Sequence, residues 1–161
     1  MPEKFHHFRC GKELTCKEYR PLWRGWGVMM TAFVANLHFL NMFLVLATST
    51  VTGIWGLVLF WQKKTRIDRP WKAALITTAI VGLLQGLLGV ILVLAGTKPG
   101  TGTGLYYLHY VYGAIVVFAI PVAYTYASKN MRMTILILSI AALVIAAAGV
   151  RAMMTGLGTA G

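Results

Sequence analysis

The chain has 161 residues, 58% of them apolar and only 12% charged, with a formal net charge of +11 and a mean hydropathy of +0.70. An average soluble domain carries about 25% charged residues, so this sequence lacks the polar surface to enclose a water-soluble core, and soluble-enzyme functions are excluded. The basic residues bracket long apolar runs, a pattern of membrane topology and anionic headgroups, so no nucleic-acid partner is expected.

The segment from Met1 to about Gly27 is polar, aromatic and basic. It contains no apolar stretch followed by a small-residue cleavage site, so no removable signal peptide is expected. Its end, Arg20-Pro21-Leu22-Trp23-Arg24-Gly25-Trp26, mixes Trp with Arg as a headgroup boundary does. Cys10 and Cys16 are too few for a disulfide framework. With His6 and His7 they are possible metal ligands, but the spacing fits no standard zinc site, and a solvated interfacial segment is the plainer reading.

The apolar run from Val28 to Gln62 is roughly 50 Å long as a helix, too long for one hydrocarbon core of roughly 30 Å. An interfacial or extended stretch is therefore expected at 28–36, making 1–36 an interfacial N-terminal segment, with the first spanning helix at 37–61. A basic loop follows at 63–70, and Pro70 suits the first turn of a second helix at 71–95. A Gly-rich turn, Gly96 to Gly104, leads to a third helix at 105–127, expected to bend near Pro121. A fourth helix at 132–153 and a short tail at 154–161 close the chain. Period-2 alternation is absent, and in hydrocarbon each backbone group needs an internal partner, so the runs read as helices. The fold class is all-α: a four-helix transmembrane bundle, up-down-up-down, over residues 37–153.

Orientation follows from the short loops. Those after helices one and three hold Lys63, Lys64, Arg66, Arg69, Lys72, Lys129 and Arg132 against Asp68, whereas the loop after helix two holds only Lys98. The positive-inside rule then places loops 63–70 and 128–131 in the cytoplasm and both termini outside, although the basic N-terminal segment argues the other way. A bacterial or archaeal cytoplasmic membrane is the expected location.

Ionisable residues inside spanning segments are expensive and are functional candidates by default. Here they are His38, His109 and Arg151, with Gln85 as a polar neutral companion. Counting from the basic boundaries places His38 roughly 37 Å, His109 roughly 30 Å and Arg151 roughly 28 Å from the cytoplasmic side, with Gln85 deeper at roughly 20 Å. Helices one and three run parallel, so two histidines at one level with an arginine beside them meet the needs of a b-type haem. Each imidazole supplies an axial nitrogen to iron, and the arginine neutralises a propionate.

A macrocycle also needs room. Gly113 lies on the face of His109, and Gly82, Gly86 and Gly89 form a stripe on helix two. Ser139, Ala142, Ala146 and Gly149 form another on helix four. Taken alone, such stripes more often serve helix packing, and a lone histidine near an interface is more often a hydrogen-bonded boundary residue. A chlorophyll-type pigment held by one histidine would use the same residues. The methionines at 29, 30, 42, 153 and 154 read as packing, and the tyrosines at 106, 107, 110 and 112 as an aromatic belt. The spanning segments contain no acid, which weakens a proton-pump or ion-coupled transporter reading.

Leu84-Gln85-Gly86-Leu87-Leu88-Gly89, then Val93-Leu94-Ala95-Gly96, a Gly-rich loop and Leu108-His109 resemble one half of the haem A synthase family over about 60 residues. That family is two fused four-helix bundles, each holding histidines on parallel helices around a b-type haem. The resemblance implies His109 as an axial ligand, with His38 as its intramembrane partner. Only one half is present, and the loop after the first helix is basic where the family has an acid. Haem binding is therefore implied rather than haem modification. The expected function is a small b-type haem-binding membrane subunit of a respiratory or photosynthetic electron-transfer complex. Membrane lipid, other integral subunits and a quinone are its candidate partners. A cofactor-free structural subunit or assembly factor is the alternative.

Overall fold

A computed structural model describes residues 23–64, 66, 68–100, 106–127 and 130–157, with side chains from residue 28 onward. The N-terminal segment before Trp23, with His6, His7, Cys10 and Cys16, lies outside the described residues, as do Lys129 and the last four residues of the tail. The described residues form four helices and no strand: α1 Trp23–Trp61, α2 Arg69–Leu94, α3 Tyr107–Thr125 and α4 Met131–Gly156. Each is long and apolar enough to cross a membrane, as expected of an integral membrane protein.

Neighbours in the bundle are α1–α2, α2–α3, α3–α4 and α4–α1. The sequence order thus runs around a square, with α1 and α3 on one diagonal. Short connections make successive helices antiparallel, so α1 and α3 run in the same direction. The most enclosed helix is α4, which contributes Ile135, Leu138, Ala141, Ala142, Ile145, Ala148 and Ala152 to the buried interior.

The helix limits depart furthest from expectation at two places, the other ends agreeing to within two residues. The stretch 28–36 is not separate from the first spanning helix but continues it without a break. No proline or turn residue pair interrupts the sequence there, so nothing stops the i→i−4 ladder, and α1 reaches roughly 58 Å. At the other end α4 runs to Gly156, three residues beyond the expected limit of Met153. Thr155 donates from its hydroxyl to the Arg151 and Ala152 carbonyls at 3.1 and 3.0 Å, within that last turn. Pro70 sits in the first turn of α2 as expected, and α3 continues through Pro121.

The helix ends are built by recognisable chemistry. After α2, Gly96 takes φ +79°, while its N–H reaches the Val93 carbonyl and that of Thr97 reaches Leu92. This is the Schellman arrangement, and glycine fits its left-handed position. The end of α1 repeats the pattern, with the Lys63 N–H on Phe60 and the Lys64 N–H on Leu59. There the left-handed position is held by Lys63 at φ 56°, which costs roughly 1 kcal/mol relative to glycine. At the start of α4 the Asn130 side chain accepts from the Arg132 N–H at 3.1 Å.

At the basic end of the bundle, α1, α2 and α4 meet at Gly56. A Cβ there would overlap the Ser139 hydroxyl of α4 and come within 2.9 Å of the Trp71 ring of α2. Trp71, fully buried, donates from its indole N–H to the Thr52 carbonyl at 3.1 Å. The Thr78 hydroxyl donates to the Ala74 carbonyl at 2.9 Å, which uses its one hydrogen. Thr52 must therefore be the donor of the 3.0 Å hydroxyl pair that joins α1 to α2. Gly56→Ala is expected to push α1 off α4 and to destabilise the bundle by about 1–3 kcal/mol. Thermal unfolding in detergent measures this, and an unchanged midpoint would show that the three-helix approach is not close-packed in solution.

Candidate functional site

Across the diagonal, His38 of α1 and His109 of α3 come together with ring centres 6.2 Å apart and planes inclined by 53°. Both are half-buried. The sequence expectation that these two histidines share one level is met, and neighbouring glycines make the approach possible. A Cβ on Gly89 of α2 would lie 3.3 Å from the His38 ring, and a Cβ on Gly156 of α4 would lie 3.1 Å from that of His109. The connection after α2 is tied to the same end of the bundle, because the Gly100 N–H donates to the Gly156 carbonyl at 2.8 Å.

The two imidazoles are held in opposite ways. His109 places Nδ1 2.8 Å from the Ala152 carbonyl. A carbonyl only accepts, so Nδ1 carries the hydrogen and Nε2 keeps its lone pair. His38 is governed by a chain of amides that starts from another carbonyl. Asn41 donates from Nδ2 to Val81 O at 3.0 Å and to Gln85 Oε1 at 2.9 Å. With its oxygen on Asn41, Gln85 turns its NH₂ to Nε2 of His38 at 3.3 Å. An amide nitrogen only donates, so Nε2 of neutral His38 accepts and Nδ1 bears the hydrogen. That Nδ1 is buried and has no hydrogen-bond partner. An unsatisfied buried donor marks a site of interest rather than a finished core.

The remaining expected residues divide. Gln85, expected deeper in the membrane, lies instead at the level of His38 and touches it. The reason is that α2 begins at Arg69 rather than at Trp71, and that packing, not counting, sets the axial offset of neighbouring helices. Gly113 faces open space, with nothing within 4 Å of where its Cβ would lie. Arg151 is exposed and directly precedes Ala152, whose carbonyl holds His109. Of the glycine stripe on α2, Gly82 and Gly86 are closed by Val116 and Val117 of α3, so those two serve helix packing. The stripe on α4 packs likewise, with Leu46 3.0 Å from where a Cβ of Gly149 would lie.

Asn41 was missed by sequence reasoning, which looked for ionisable groups. The available signal was its position three residues after His38, on the same helical face. Among the described residues no three His, Cys, Asp or Glu side chains gather into a metal-binding group, so the donor set is the imidazole pair. Two imidazoles that bind one metal ion from opposite sides, with bonds of about 2.0–2.1 Å, bring their ring centres to roughly 6 Å. The observed separation matches this and His109 offers a free Nε2, so the imidazole pair fits as ligands of a haem iron, with one qualification built into the site: the Gln85 amide occupies the same lone pair of His38 that iron would use.

Asn41→Leu removes the donor that aligns Gln85. It is expected to lower stability by about 1 kcal/mol, within the range for interhelical hydrogen bonds in membranes. It should also change the ¹⁵N resonances of His38 from a single Nδ1–H form to a mixture of tautomers. Resonances that stay as in the wild type would show that the amide chain does not set the tautomer. No protein-family model matches the chain, and no curated protein or solved structure matches it either.

Proposed function

We propose that this protein is a small b-type haem-binding membrane subunit of a respiratory or photosynthetic electron-transfer complex. The observation that carries the reading is the pair of imidazoles, His38 and His109, brought together across the bundle diagonal with ring centres 6.2 Å apart and planes inclined by 53°. When bound, the haem supplies one-electron iron redox chemistry within the bilayer.

The chain's own residues have distinct parts in this reading. His109 would be the principal residue holding the haem: the Ala152 carbonyl fixes its tautomer and aims the ring, as outer hydrogen-bond acceptors do for ligating histidines. His38 is the second ligand and the weaker one, because Gln85 competes for its Nε2 and nothing accepts from its Nδ1. Arg151, exposed one residue before Ala152, is the cation for a propionate. The spanning segments hold no carboxylate, which suits electron transfer to a partner cofactor or quinone better than proton pumping. In the same reading the loops at 63–70 and 128–131 are cytoplasmic.

The protein–protein bonds of both histidines favour a second reading, a cofactor-free structural subunit or assembly factor, in which the rings are interhelical hydrogen-bonding groups. A reduced-minus-oxidised visible spectrum of purified, haem-supplemented protein separates the two. The wild type is expected to show a b-type α-band. His109→Ala should abolish haem binding, whereas His38→Ala should retain haem but lose the sharp low-spin α-band. A featureless spectrum from folded wild-type protein would leave the structural subunit as the better account.

A further inference from the structure

At the end of the bundle where α1 and α3 stop and α2 and α4 begin, Lys63, Lys64, Arg66, Arg69, Lys72 and Arg132 are gathered. Asp68 is the only acid among the described residues. No ion pair ties it, or any of these six cations, among the described residues.

Arg132 is the most constrained of the six. Its guanidinium lies 4.5 Å from the centre of the Phe60 ring, stacked at the seam between α1 and α4. Its Nε is buried yet has no acceptor. Lys63 and Lys64 fold back onto the same turn, through N–H bonds to the Phe60 and Leu59 carbonyls. Lys63 sits in the left-handed region, where glycine would be less strained. A strained lysine at the end of α1 and an unpaired guanidinium of α4 held against Phe60 call for an anion.

The level in the membrane says which kind. Trp61, Tyr124 and Tyr126 are exposed around this end, as aromatic residues are at the headgroup boundary. Below the cations the surface is apolar, with Val58 exposed on α1 and Met133 on α4. A free phosphate gains nothing from those side chains, whereas a lipid places its acyl chains on them while its phosphodiester meets the cations. We propose that this end of the bundle carries a binding site for an anionic phospholipid, with the phosphodiester on Arg132 and the Lys63–Lys64 turn. Arg132 serves as the planar donor and the two lysines as point charges. The site is independent of any cofactor at the histidines.

The test is native mass spectrometry of the full chain in detergent with added cardiolipin, phosphatidylglycerol or phosphatidylcholine. A parallel thermal-shift series uses the same lipids and inorganic phosphate. Wild type is expected to retain the anionic lipids over phosphatidylcholine and to be stabilised by them, with no shift from inorganic phosphate. Arg132→Gln should lower retention about tenfold, the scale of losing charge-assisted hydrogen bonds, while Lys98→Gln at the opposite end leaves it unchanged. Lys63→Gly should raise the unfolding temperature, since glycine suits the backbone there, yet weaken lipid retention. Those opposite signs keep the test decisive even if Arg132→Gln fails to fold. Equal retention of phosphatidylcholine, undiminished retention in both variants, or an equal shift from inorganic phosphate alone would each overturn the proposal.

Discussion

The close approach that α4 allows is the constraint on which the rest of the molecule depends. In hydrocarbon there is little hydrophobic drive between helices, so packing must come from surfaces that fit without voids. The buried face of α4 is largely small: Ser139, Ala141, Ala142, Ala148, Gly149 and Ala152 are all enclosed. Both diagonal helices therefore come close to it. Leu46 of α1 comes up to Gly149, and His109 of α3 comes up to Gly156. A larger residue at either glycine would lift α1 or α3 away from the common neighbour and widen the gap between His38 and His109. The separation of the two rings thus depends on α4, which contributes neither of them, together with Gly89 of α2 beside His38.

The polar groups inside the bundle fall into two classes. Ser49, Thr52, Thr78 and Ser139 return their hydroxyl hydrogens to a carbonyl one turn back or to one another, and leave nothing unsatisfied. These side chains secure helix contacts at little cost in free energy, because a hydroxyl on a helix always has a carbonyl within reach. The imidazole level is different. There the bonds run between helices, originate in two backbone carbonyls, and end with one nitrogen of His38 lacking any partner. A bundle selected only to pack had simpler residues available for those positions, as its own core elsewhere demonstrates. The contrast within one molecule, rather than the presence of two histidines, separates the site from the scaffold.

Much of this was legible in the sequence, and for a physical reason. The bilayer requires long apolar helices, so their number and approximate limits follow from composition, and parallel helices one and three bring His38 and His109 to one level by counting. The continuity of α1 through 28–36 was not legible. Hydrocarbon thickness limits how much helix is spanned, not how much helix forms, and residues beyond the core keep the ladder where no breaker stops it. The level of Gln85 was misjudged because counting along one helix carries no information about its axial offset from the next. That offset is fixed by contacts such as Asn41 with Gln85. Asn41 itself escaped notice because it bears no charge, although an amide in hydrocarbon needs partners as surely as an ion does.

The two ends of the bundle are built to opposite specifications. Among the described side chains the end near the imidazoles carries only Lys98 and Arg151 as cations, closes α2 with a left-handed glycine, and ties Gly100 to Gly156 by a backbone bond. The other end closes α1 with a strained lysine and holds an unpaired guanidinium against Phe60. The same capping geometry occurs at both, so the backbone does not demand the lysine. Charge is the difference, and where glycine would be the more stable choice for the helix end, the presence of lysine points to a requirement outside the fold. The anchoring cations are thereby kept roughly 37 Å from the imidazole pair, about two-thirds of the length of α1. At that distance, several screening lengths at physiological salt, those cations have little influence on His38 and His109, whose orientation is set by the local Gln85 amide and Ala152 carbonyl.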